Sequence, residues 1–407
     1  MPKIDGKRLI ADQRKLAEFG RYETGVHRPC LSDIDVASRR WLVERMRDAG
    51  LDAHIDGIGN VVGRSRAQGP VLLMGSHTDT QPRGGWLDGA MGVIYGIEVA
   101  RAFRDDPACK DIGVDVVSWA DEEGNFGSFM GSRSFIGALD EAEIDRAVSR
   151  EDGTPMRAAL AKAGVGNVPR AQLDPKRYRG YLEAHIEQGG KLEASGKRIG
   201  VVTGIVGIRL FRVSFTGQQN HAGTTPMPIR KDAGVALTEF CHAVHTSFPK
   251  LVGPLTVWTV GQINLDPNMP SIIPGKAQML LQIRDPEVEV LDRLAAEAER
   301  IAQAADAAGP CRVRIELISR TVPTKSDPGF MAALDAAAEK HAPGSWMRMP
   351  SGAGHDAQIL ALKLPSAMLF VPSIGGVSHH YSEDTAEADI VLGAQVFADA
   401  AAAILKG

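Results

Sequence analysis

Four short segments of this sequence concentrate histidine and carboxylate: His77-Thr78-Asp79 with Asp88-Gly89, Asp121-Glu122-Glu123, His185 with Glu187, and Ser378-His379-His380 with Glu383. Imidazole and carboxylate without thiolate form a donor set for zinc, manganese, cobalt or nickel. A site for two such ions, about 3.5–4 Å apart, needs a carboxylate to bridge them, further donors on each ion and a water between. Asp88 suits the bridge, because it lies in Gly84-Gly85-Trp86-Leu87-Asp88-Gly89, where glycine lets the backbone approach an ion closely. Asp79 follows His77 by two residues on an extended segment, so it points to the same side and could accept the other ring N–H of His77. Glu122 and Glu123 are neighbours on an extended segment and face opposite ways. One can therefore bind metal while the other serves as a base.

Such distant segments converge only if the elements before them end at one place. Apolar runs precede three of them: Val71–Met74 before His77, Val114–Ala120 before Glu122, and Tyr181–Ala184 before His185. These runs alternate with helical patterns, which predicts an α/β sheet, and ligands of such sheets gather beyond the carboxyl ends of the strands. The middle of the chain changes rhythm. Strand patterns at 209–217, 255–264, 276–284 and 311–319 interleave with helical patterns at 230–247 and 286–307, giving the order βαββαβ of a ferredoxin-like sandwich. The α/β style then resumes with a helix at 328–341, a strand at 367–371 and an alanine-rich segment at 386–405, which reads as an amphipathic surface helix. The expected organisation is a discontinuous catalytic domain, 1–208 and 323–407, with 209–322 inserted into it.

Composition narrows the function. With 407 residues, 44% hydrophobic and 24% charged, the chain is long enough for two cores and has the balance of a soluble globular protein. A net charge of −4 offers no broad basic field for nucleic acid or anionic lipid. No run of eighteen apolar residues suggests a membrane span, and the charged N-terminus has no apolar signal core. Cys30, Cys109, Cys241 and Cys311 form no CxxC pair, which fits a reducing cytoplasm. No GxGxxG or GxxxxGK[ST] segment points to a nucleotide. A small-molecule substrate in the cytoplasm is the expectation.

The segments GSHTDTQPRGGWLDGAMGV, DEEG, AHIEQG, NHAGTTPM and SGAGHDA, with the late Ser-His pair and Glu383, resemble a family of metal-dependent amidohydrolases. It includes N-carbamoyl-L-amino-acid hydrolases, allantoate amidohydrolases and β-ureidopropionases, and sits within the two-metal M20 peptidase-like superfamily. The resemblance runs in order from about residue 50 to 390. It implies a two-metal aminopeptidase-like catalytic domain with an inserted ferredoxin-like dimerisation lid, and hence a homodimer. Matched by position, it assigns His77, Asp88, Glu123, His185 and His379 as metal ligands and Glu122 as general base. One ion would take His77 and His185, the other Glu123 and His379, with Asp88 bridging. The register of the family favours His379 over His380.

The same resemblance puts Gln188, Asn268, Arg284 and the Gly352-Ala353-Gly354 turn around the substrate, with His221 reaching the neighbouring subunit's site to stabilise the oxyanion. Arg284 would clamp a substrate carboxylate, since a guanidinium fork matches a carboxylate bidentately; the plainer alternative is an ion pair with Asp285. His221 could likewise be a turn histidine and nothing more. Two departures touch the substrate pocket. Ser271 stands where many relatives carry asparagine, and the loop Gly124-Asn125-Phe126-Gly127 lacks their arginine and is shorter. The implied activity is hydrolysis of a C–N bond in an N-carbamoyl-L-amino acid or related ureide by a metal-activated water, releasing ammonia and carbon dioxide. Allantoate, N-carbamoyl-β-alanine, N-acyl amino acids and dipeptides are the alternatives within the superfamily. A non-catalytic binding protein on this fold is the remote one.

Overall fold

Among the described residues of the computed structural model, 2–407, four buried runs form the middle of a nine-stranded mixed sheet. Met1 of the N-terminal segment lies outside them. The central strands run in the order Ser366–Val371, Tyr178–Ile186, Val71–His77 and Gly113–Trp119, all parallel. Parallel strands covered on both faces read as continuous apolar runs, and the Val71–His77 and Gly113–Trp119 strands are buried at every position. Antiparallel strands Ile199–Ile205 and Val61–Arg64 flank this core of four. Alternate side chains of the parallel strands, including Leu72, Met74, Val116, Leu182 and Leu369, enter one hydrophobic cluster with the Ala90–Asp105 helix. Because all four strands point the same way, their polar carboxyl ends arrive at one edge.

The alanine-rich segment departs from the sequence-based expectation. It forms the Glu387–Lys406 helix, and this is a core helix, with Ala394, Phe397, Ala398 and Ala401 fully buried. By length and hydropathy it could cross a membrane, yet 61% of that stretch is buried inside the fold. Small side chains explain the burial, since alanine and glycine let a helix lie close to its neighbours. A Cβ on Gly393 would stand 2.5 Å from Val371 Cγ1 and 2.7 Å from the Tyr95 hydroxyl. A pattern rich in alanine looks amphipathic but has no polar face large enough to need solvent.

The chain divides into two compact units, Met1–Thr203 with Lys325–Gly407, and Gly204–Thr324. In the second, strands Gly207–Thr216, Val257–Asp266, Lys276–Asp285 and Arg312–Thr321 interleave with helices Ala233–Ser247 and Val288–Ala308 in the order βαββαβ. The four strands make an antiparallel sheet with Gly207–Thr216 and Lys276–Asp285 in the middle. Its alternating burial puts Phe211, Val213, Phe215, Met279, Leu281 and Ile283 against Leu237, Phe240, Leu291 and Leu294 of the helices. The unit therefore has a core of its own. The two edge strands are less covered, Val257–Asp266 leaving Val257, Ile263 and Leu265 exposed and Arg312–Thr321 leaving Leu317 and Ile318.

Candidate metal centre

His77 is the last residue of its strand, in register with Trp119 of the next strand, and His185 is the last but one of the Tyr178–Ile186 strand. Both rings are fixed by main-chain carbonyls. His77 Nδ1 donates to the Asp79 carbonyl at 3.0 Å and His185 Nδ1 to the Ile186 carbonyl at 2.9 Å. A carbonyl can only accept, so each Nδ1 carries its proton and each Nε2 keeps the lone pair a metal would use, that of His185 facing the Gly89 N–H at 3.1 Å. Asp79 thus orients His77 as expected, but through its main chain. Its carboxylate accepts instead from the Glu123 N–H at 3.1 Å, and lies 3.9 Å from His77 Nδ1.

Between these rings sits Asp88. Its Oδ1 is 3.1 Å from His185 Nε2 and 3.6 Å from His77 Nε2. Its Oδ2 is 3.3 Å from His379 Nε2 and accepts from Gln188 Nε2 at 2.9 Å. The two oxygens of one carboxylate therefore face two different sets of donors. The approach depends on the next residue: Gly89 has φ 64°, and a Cβ there would be 2.4 Å from the His77 ring. Glu383 fixes the loop from below, accepting from the Leu87 and Asp88 N–H groups at 3.3 and 3.0 Å and from the Ser378 hydroxyl at 2.8 Å. One buried carboxylate so ties the Asp88 loop to the His379 loop.

Glu122 and Glu123 follow Asp121, which holds the turn. Asp121 has φ 59°, and its carboxylate accepts from the Phe126 and Gly127 N–H groups at 3.0 and 2.7 Å. Glu122 Oε2 lies 3.5 Å from His77 Nε2. Glu123 Oε2 lies 3.9 Å from His379 Nε2 and accepts from Gln81 Nε2 at 2.8 Å. Three groups of donors lie close enough to hold an ion: His77, Asp88 and His185; Asp88, Glu123 and His379; and His77, Glu122 and Glu123. The first two share Asp88 and use every other ligand once. The third would leave His185 and His379 without an ion. His380 joins none of them, because its Nδ1 is bonded to Ser382 Oγ at 2.8 Å and its ring stacks on Tyr381.

The electrostatics of the cluster follow from burial and crowded like charge. Burial, then Glu123, Asp356, Asp88 and Asp79, push the Glu122 carboxyl well above its ordinary range. Burial and Asp88 push Glu123 up to about 8, with His379 opposing. Burial also raises Glu383 and Asp121, each to about 7, and Glu183 to about 6. Asp88 goes the other way: burial would raise it, but hydrogen bonds from His185 and His379 hold it well below the usual carboxylate range. Carboxylates crowded in a dry pocket repel one another, and divalent cations relieve that repulsion. The donor set, with two Nε2 lone pairs aimed at a two-sided carboxylate, fits two such ions.

The remaining expected residues are placed as follows. Gln188 has φ 57° and His379 φ 55°, two left-handed non-glycine residues at the centre, a strain that persists only where surrounding structure holds it. Gly352 and Gly354 flank Ala353, whose N–H donates to Ser351 Oγ at 3.1 Å. In the second unit His221 pairs with Ile272, and its Nδ1 accepts from the Gly223 and Thr224 N–H groups at 2.9 and 3.1 Å. Its proton therefore sits on Nε2, the form able to donate to an oxyanion. Asn268 has φ 54°, and the Ser271 carbonyl accepts from Ala222 N–H at 3.0 Å. Arg284 donates to Gln282 Oε1 at 2.8 Å, while Asp285 is taken by the Thr256 hydroxyl and the Glu287 N–H. Gln81 has a role no motif spacing indicated, and Ser378 and Glu383 were visible only as members of their cluster.

The model of peptidase family M20/M25/M40 matches residues 73–403. The N-carbamoyl-L-amino acid amidohydrolase of Geobacillus stearothermophilus is 33% identical, over 97% of each chain. The allantoate amidohydrolase of Escherichia coli K12 is also 33% identical, over 94% of each. A solved amidase of the hydantoinase/carbamoylase family from Burkholderia phymatum is 51% identical with a TM-score of 0.91, over 100% of this chain and 99% of that one.

The titrations make the metal reading testable. Without metal, Glu123, Glu383 and Asp121 have folded pKa values above their unfolded ones, and buried His185 and half-exposed His379, both beside Asp88, are pushed up to about 9. A group that binds protons more tightly when folded loses its stabilising effect as pH climbs from the unfolded to the folded value. For the acids that window runs from about 4 to 7–8, and for the histidines from about 6.5 to 9. The melting temperature of chelator-treated protein should therefore fall across about pH 6.5–8.5. Manganese, cobalt or zinc should offset that fall, so that the gain on adding metal widens with pH. A gain that does not change with pH would place the ions elsewhere.

Proposed function

The chain belongs to peptidase family M20/M25/M40, and on that premise we propose that it hydrolyses a C–N bond of an N-carbamoyl-L-amino acid or a related ureide. The observation that carries this reading is Asp88, one carboxylate with an oxygen toward His77 and His185 and the other toward His379, with Glu122 beside them. Amidohydrolases of non-peptide C–N bonds are the full-length relatives, and the match extends over nearly the whole chain. In this reading His77, His185 and Asp88 hold one divalent ion, and Glu123, His379 and Asp88 a second, with zinc, manganese, cobalt and nickel all compatible with the donors. When bound, such ions polarise a carbonyl and lower the pKa of water towards about 7.

The side chains supply the rest. Glu122 takes the proton of the attacking water and returns it to the leaving nitrogen, since a C–N bond breaks readily only when nitrogen departs as a neutral amine. His221, with its proton on Nε2, donates to the oxyanion, and Arg284 binds the substrate carboxylate. The substrate's ureido group then yields ammonia, carbon dioxide and the free amine. Gln188, Asn268, Ser271 and the Gly352–Gly354 turn complete the pocket. Allantoate is the second reading, favoured by the equal identity to the Escherichia coli enzyme.

The Gly204–Thr324 unit serves in this proposal as a lid through which two chains pair. Its edge strand supports that, because exposed Val257, Ile263 and Leu265 on an unpaired edge invite a second chain. A cytoplasmic location suits four free cysteines and a small-molecule reaction.

Glu122→Gln should retain metal but lose turnover by about 100-fold or more, whereas Asp88→Ala should lose metal. Metal analysis beside a rate assay separates them, and a fully active Glu122→Gln enzyme ends the assignment. Hydrolysis should be fastest with N-carbamoyl-L-amino acids in a panel that also holds allantoate, N-carbamoyl-β-alanine, N-acetyl amino acids and dipeptides, read as ammonia from the ureides and as free amino acid from the last two classes. Preference for either of the last two classes would overturn the proposed chemistry. Mixing inactive His221→Ala with inactive Glu122→Gln chains should restore part of the activity once subunits exchange. No recovery despite proven exchange would count against His221 acting across a dimer.

A further inference from the structure

Behind the metal centre lies a buried ion chain that no ligand assignment uses. Arg39, on the Asp33–Asp48 helix, is 1% exposed and stands between two buried acids, Asp35 and Asp79. Its Nε donates to Asp35 Oδ2 at 2.7 Å, four residues back on the same helix. Its Nη1 donates to the Gly59 carbonyl at 3.0 Å and, more weakly, to the carbonyl of Trp119 at 3.4 Å. Its Nη2 lies 3.8 Å from Asp79 Oδ1.

The two ends of that reach matter. Trp119 closes the strand that delivers Glu122 and Glu123, and Asp79 follows the strand that delivers His77. Asp79 is the joint between them, since its carbonyl accepts from His77 Nδ1 and its Oδ2 from the Glu123 N–H. Its Oδ1 has no hydrogen-bond partner, and Arg39 is the nearest cation to it, closer than His77 at 3.9 Å. An uncompensated carboxylate in a dry interior is costly, and its cheapest escape is to move. Movement of Asp79 would carry both His77 and Glu123 with it. Arg28 restrains the same segment differently, donating to the Thr78 carbonyl at 2.7 Å without contact to Asp79.

We propose that Arg39 is a positioning residue for the metal centre: it clamps the two strand ends together and supplies the counter-charge that holds Asp79 between His77 and Glu123. It touches neither metal nor substrate and acts through Asp79. A guanidinium is needed because the position asks for a planar group that meets Asp35, two carbonyls and Asp79 at once, which a single ammonium cannot do. The inference rests on the two-ion reading above.

The test uses the full-length protein with Arg39→Lys, which keeps the charge, and the double variant Asp35→Asn with Arg39→Met, which removes the arginine without stranding Asp35. Metal affinity is read by competition with a chromophoric chelator, beside kcat and KM at saturating metal and the melting temperature. Both variants should bind metal about 10- to 100-fold more weakly and lose kcat by a similar factor. KM should stay near the wild-type value, and Arg39→Lys should retain more of both than the double variant. In an Asp79→Asn background, Arg39→Lys should cost nothing further, because the path it acts through is already cut. Losses that multiply there would overturn the proposal, as would either variant, melting lower or not, with wild-type metal affinity and kcat. A wild-type chain that binds no divalent ion would instead sink the two-ion reading itself.

Discussion

A carboxylate with metal-binding donors on two sides must be buried enough to be held in place and yet reachable from both, and Asp88 meets that demand only because its surroundings are built around it. In a pocket of low polarity its charge is costly alone, and so are those of Glu122 and Glu123 nearby. The parallel sheet brings His77 and His185 to one of its oxygens, and two loops bring His379 and Gln188 to the other. His77 and His185 are oriented by hydrogen bonds to main-chain carbonyls at the strand ends, and the Asp88 loop by a second buried acid, Glu383. In the proposed reading, relief of carboxylate repulsion by divalent ions would tie stability to metal, and so to pH.

The loops bear the strain that the sheet does not. Asp121, Gln188 and His379 all hold positive φ without being glycine, each at a cost of roughly 1–3 kcal/mol. The compensation is local and polar. Asp121 captures the N–H groups of its own turn, and Glu383 joins the Asp88 and His379 loops. Strand ends alone could not have aimed these side chains, since a strand offers its residues only two opposite directions. Catalytic geometry here is therefore a property of irregular backbone pinned to a regular frame.

The second unit is organised by a separate core and contributes a different kind of group. His221 and Arg284 are set by main-chain and side-chain hydrogen bonds within that unit, His221 as a donor at Nε2 and Arg284 steadied by Gln282.

Donor chemistry, strand order and the change of rhythm in the middle of the chain were legible in the residues, because periodicity and side-chain type are local properties. His77, Asp88, Glu123, His185 and His379 could be nominated from spacing and resemblance, and the βαββαβ order read directly. Three things were not local. Asp79 reaches His77 through its carbonyl and Glu123 through its carboxylate, which depends on the ψ angles of a turn rather than on the His-x-Asp spacing. The Glu387–Lys406 helix is core and not surface, because its small side chains matter only once a sheet lies against them. Arg39 and Glu383 act across 40 and 295 positions of chain, on Asp79 and on Asp88. The sequence by itself determined which groups could bind metal and move protons; the tertiary structure decided which atom of each group faces which partner, since burial and backbone direction are set only when distant segments pack.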